Sequence, residues 1–90
     1  NFYFQNEDVD KTLQTCGEAT VLETNDFRVS VSSSELMYTH IFVNRYSEPG
    51  KVWFAIEPQS AVANSLNDLE QTIVLQPGQT RTFSVRVVVD

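Results

Sequence analysis

The chain is 90 residues long, 41% hydrophobic and 20% charged, with a formal net charge of -6. That is one small globular domain, below the usual size of an enzyme domain and neither disordered nor collagen-like in composition. Six Lys and Arg against twelve Asp and Glu leave no cationic face for a nucleic-acid backbone or an anionic membrane surface.

No apolar run approaches the roughly 20 residues of a membrane span, and no segment has the basic-then-apolar shape of a secretory signal. Cys16 is the single cysteine. This excludes an intrachain disulfide, a four-thiolate zinc site and a redox pair, and it points to a reducing, cytoplasmic compartment.

Strand formers dominate, with 12 Val, 3 Ile and 8 Thr against eleven Ala, Leu and Met together. In chain order, Asn1-Phe2-Tyr3-Phe4-Gln5 resembles the recognition peptide of a viral protease used to remove purification tags, with Phe2 where Leu is usual. Residues 1–6 read as such a remnant or as an N-terminal aromatic strand. Residues 19–23 form a short candidate strand, and Thr24-Asn25-Asp26 a tight hairpin turn. Phe27, Val29 and Val31 then alternate with Arg28, Ser30 and Ser32, the pattern of a half-buried strand. Ser32-Ser33-Ser34 marks its end.

Residues 36–43 are apolar on both faces and predict a central strand. Ser47-Glu48-Pro49-Gly50 is a turn. Val52, Phe54 and Ile56 alternate with Trp53, Ala55 and Glu57, and Pro58 is expected to stop that strand. Residues 60–69 form a loop or one helical turn, and residues 72–75 a short strand. Gln76-Pro77-Gly78-Gln79 is a second turn. Phe83, Val85, Val87 and Val89 make the last strand. The expectation is an all-β, antiparallel fold of about six strands with short connections.

Most enzyme constellations are missing. Three Gly do not make a phosphate loop. His40, the sole histidine, lies between Tyr38 and Phe42 and reads as a partly buried structural residue. Cys16 has only Lys11 as a basic neighbour and reads as a plain thiol. Glu57 stands out. It ends an alternating strand before a proline, on the face of Trp53 and Ala55. A carboxylate at the mouth of a concave sheet, partly buried beside a ring, is suited to general-base work. The other reading is a solvated glutamate before a turn.

Glu57-Pro58-Gln59-Ser60, then Asn64 and Asn67, then Leu75-Gln76-Pro77-Gly78-Gln79-Thr80 resemble the C-terminal signature of the aldose 1-epimerase (galactose mutarotase) family. Gln79 stands where Glu is commoner. Phe27-Arg28-Val29-Ser30-Val31 and residues 38–43 are similar to the two strands that precede the Glu-Pro strand. Val9-Asp10-Lys11-Thr12-Leu13 resembles the family's Asp-His-x-Phe or Asp-Asp-x-Phe segment, with Lys11 and Leu13 departing from it. The similarity covers about residues 7–89, so residues 7–90 are read as a C-terminal β-sandwich segment. It is roughly a third of a ~250-residue all-β domain.

The resemblance implies an isomerase that interconverts the α and β anomers of a hexose by acid/base ring opening, with no cofactor and no metal. It implies that Glu57 is the catalytic base and that Asp10 binds sugar hydroxyls. The family's general acid is an upstream histidine that His40 does not match. The chain alone is therefore expected to be inactive, and its partners to be a hexose and the rest of the β-sandwich or a partner chain covering its exposed strands. Two alternatives stay open: a free-standing immunoglobulin-like interaction module and a non-catalytic carbohydrate-binding relative.

Overall fold

The computed structural model describes residues 8–44, 51–68, 70 and 72–90. The possible tag segment and the turn expected at Ser47-Glu48-Pro49-Gly50 lie outside the described residues. Six strands run β1 Val9–Gln14, β2 Thr20–Glu23, β3 Arg28–Ser32, β4 Tyr38–Asn44, β5 Trp53–Gln59 and β6 Arg86–Val89. One 3-10 helix covers Ser65–Asn67. The all-β antiparallel expectation holds, as two three-stranded sheets of order β1-β4-β5 and β2-β3-β6.

In the first sheet β4 is central, as its apolar content on both faces requires. Register sets the faces. Val9, Lys11 and Leu13 stand opposite Val43, Ile41 and Thr39, and these oppose Phe54, Ile56 and Pro58. That row holds the core, with Val9, Ile41 and Val43 buried and Leu13 packed on them. The other row carries Asp10, Thr12 and Gln14, then Phe42, His40 and Tyr38, then Ala55, Glu57 and Gln59. Thr39, the buried polar residue of the core row, shares a hydrogen bond with Thr15 (Oγ1···Oγ1, 3.1 Å).

The sequence expectations need correction at several strands. Residues 9–14 form a strand that the residue pattern hides, because Lys11 interrupts its inward apolar row. Residues 72–75 form no strand. Pro58 does not stop β5, which continues to Gln59 and pairs Pro58 with Thr39. An edge strand tolerates a residue without an N–H, since its outer side donates to no ladder.

In the second sheet the β2–β3 turn forms as expected. Thr24 Oγ1 accepts the N–H groups of Asp26 and Phe27, both at 3.2 Å, and the Glu23–Arg28 pair closes its base at 3.8 Å. β6 pairs with β3, and Arg28 and Asp90 exchange backbone hydrogen bonds beyond it. The strand is shorter than the alternating run from Phe83 predicts. Val31 is buried, but Val87 and Val89 on the same face remain 58% and 67% exposed. The sheets meet where β3 approaches β5. Among the described residues no helix is long and apolar enough to cross a membrane.

Candidate functional site

Local pairing builds the site on the outer face of β1-β4-β5. Antiparallel register places Thr12 opposite His40 and His40 opposite Glu57, so the three side chains stand in one cross-strand row. Asp10 lies two residues along β1 and reaches the ring diagonally. Its Oδ1 is 2.5 Å from His40 Nε2, and Thr12 Oγ1 is 2.7 Å from His40 Nδ1. An ionised carboxylate only accepts, so with Asp10 ionised the contact requires the tautomer whose Nε2–H donates to it. In the neutral ring Nδ1 then accepts the Thr12 hydroxyl. Both imidazole nitrogens are thus engaged.

The ring is shielded while its acid partner faces water: the His40 side chain is 24% exposed and that of Asp10 73%. Glu57 is exposed. Of the two readings of Glu57, the solvated carboxylate fits, because among the described residues β5 is an edge strand and Glu57 lies on an uncovered face. Glu57 is not at a strand end, since β5 runs two residues beyond it. The expectation that it shares a face with Trp53 and Ala55 holds. Trp53 and Phe42, on this face, are 53% and 38% exposed. The face therefore combines two open rings with two carboxylates, a hydroxyl and an imidazole.

The Asn64 and Asn67 segment closes on itself. Asn67 Nδ2 donates to Asn64 Oδ1 across the 3-10 helix, and Asn64 takes a left-handed backbone, φ 70°. The Pro77-Gly78 turn forms, with Gln79 N–H donating to Gln76 C=O at 3.0 Å and Gly78 at φ 82°, the geometry a Pro-Gly pair favours. Cys16 is exposed and free, in the turn after β1. Among the described residues no group of three or more His, Cys, Asp or Glu is arranged to hold a metal ion.

The partnership of His40 with Asp10 and Thr12 was missed in the sequence. Alternation within β4 does put His40 in the row of Tyr38 and Phe42, opposite the buried Thr39, Ile41 and Val43. The identity of its partners, 28 and 30 positions away, depends on strand register. Comparison with protein-family models, with curated proteins and with solved structures found no match.

Proposed function

We propose that this chain is the C-terminal part of an aldose 1-epimerase-like protein, a mutarotase-type β-sandwich whose Glu57 and Asp10 act on a hexose. The observation that carries this reading is that Asp10 and Glu57, singled out by the resemblance, share one exposed sheet face from its two edge strands. They stand two strands apart and two residues out of line, roughly 12 Å between backbones, with His40 between them and the rings of Phe42 and Trp53 alongside. A hexose offers an apolar C–H face to such rings and hydroxyls to such carboxylates, the mixture of apolar lining and few placed polar groups typical of small-molecule sites.

In this reading Glu57 takes the proton of the anomeric hydroxyl while an acid protonates the ring oxygen. The C1–O5 bond opens to the aldehyde, C1 rotates about C1–C2, and reversal of the proton transfers gives the other anomer. The acid comes from elsewhere, since both His40 nitrogens are already engaged. The exposed apolar side chains of Phe54, Val87 and Val89 support a partner surface, either the rest of the sandwich or another chain.

Polarimetry of freshly dissolved α-D-glucose or α-D-galactose tests this. The 90-residue chain should leave the rate at the uncatalysed value, and full activity from it would overturn the reading. In a longer protein containing this segment, Glu57→Gln should cost about 10²–10⁴-fold in kcat while sugar binding survives. A non-catalytic sugar-binding relative would use the same face and show no such loss.

A further inference from the structure

The geometry points to His40 as the positioning residue of this face, holding Asp10 and Thr12 as paired acceptors for two neighbouring hydroxyls of a sugar and making their binding proton-dependent. The inference rests on the sugar reading of Asp10 and Glu57. It starts from an asymmetry in exposure. The ring that makes two short hydrogen bonds is half-buried, as is Thr12 beside it, and Asp10, its other partner, is open to solvent. A ring placed in this way acts on a ligand through its neighbours.

With His40 neutral, Nε2–H occupies one Asp10 lone pair, and the Thr12 proton is committed to Nδ1. Outward, both Asp10 and Thr12 then offer only lone pairs, which suits two hydroxyl donors. Protonating the ring puts a hydrogen on Nδ1. Thr12 must turn its own O–H outward, and Asp10 becomes half of an ion pair. The face changes from two acceptors, one of them charged, to one donor and one weakened acceptor. Hydrogen bonds to charged groups are roughly twice as strong as neutral ones, so affinity for the hydroxyl pair should fall by about tenfold.

The titratable groups facing His40 are Asp10 on β1 and Glu57 on β5, with Tyr38 two residues along β4. Both neighbouring strands thus present a carboxylate to the ring. Lys11 belongs to the opposite row of β1.

The test has two arms on the 90-residue chain. In the first, ¹⁵N NMR of the His40 ring across pH should find the neutral form in the Nε2–H tautomer, and Asp10→Asn should weaken that preference. A mixed tautomer indifferent to Asp10→Asn would overturn the inference. The second arm measures D-galactose binding against pH by chemical-shift titration. Wild type should lose about tenfold in affinity as His40 protonates. His40→Gln, whose amide can donate to Asp10 and accept from Thr12, should retain binding and lose the pH dependence. His40→Ala should lose binding. Binding by His40→Ala equal to wild type, with the same pH profile, overturns this inference alone. Binding by no variant at any pH overturns the sugar reading and this inference with it.

Discussion

The two sheets are built from the same number of strands yet differ in what they bury. The first has seven-residue β4 flanked by β1 and β5, and Val9, Ile41 and Val43 form its core. Its outer face spends polar residues on one another. The second has strands of four, five and four residues, buries Val31, and leaves Val87 and Val89 open on the same face. Strand length and position decide this. A seven-residue central strand lays a longer row of side chains over the core than a four-residue edge strand can. The first sheet carries the candidate site, and the second leaves Val87 and Val89 in water.

The largest way to break that contrast is in the core. Ile41→Ala should cost roughly 3 kcal/mol in urea unfolding, a large share of the stability of so small a domain. An effect under 0.5 kcal/mol, the scale of an ordinary surface change, would mean that the first sheet is not the stable unit. Next comes the turn after β1. Gly17 sits at φ 88°, and a Cβ there would meet Ser33 O at 3.9 Å, so space is not limiting. The cost of Gly17→Ala is conformational, about 1 kcal/mol, readable as a lower urea midpoint.

A smaller effect belongs to the loop between the sheets. The Ser34 hydroxyl, above all, holds the Glu35 carboxyl below the usual carboxylate range, with Ser33 and the backbone N–H groups of Glu35 and Ser84 helping and desolvation opposing. A folded-state value below the unfolded one stabilises above the unfolded pKa, and that contribution fades as pH falls through the folded value. Wild type should therefore be more stable than Glu35→Gln at pH 7, with the gap closing in acid. A gap independent of pH would remove this role. Smallest is Val87→Ser, expected within about 0.5 kcal/mol of wild type, because that side chain is already in water. A large loss would show that the second sheet buries it after all.

Much of this architecture was legible in the residues. Period two marked β3 and β5, and the doubly apolar run of residues 36–43 marked β4 as central. Thr24-Asn25-Asp26 and Pro77-Gly78 encoded their turns locally, because Thr24 supplies its own cap and Gly78 the positive φ. β1 escaped because Lys11 stands in the row of Val9 and Leu13, and alternation with a charge on the inward side does not read as a strand. Pro58 misled because its missing N–H matters only where a neighbour needs it, and β5 has none on that side in this sheet. Within the candidate site, Glu57 stands out by its place before Pro58, and Asp10 by resemblance alone. His40 is the partly buried residue that its strand pattern predicts, but its partners are fixed by register between distant strands and stay hidden in the sequence.

The central claim is that the outer face of β1-β4-β5 is a sugar-binding face. Backbone NMR of the ¹⁵N-labelled chain titrated with D-galactose at pH 7.5 tests it most directly. The account predicts saturable shifts concentrated at Asp10, Thr12, His40, Phe42 and Glu57, with β2, β3 and β6 unmoved. Shifts confined to the second sheet, or none at any sugar concentration, would contradict it.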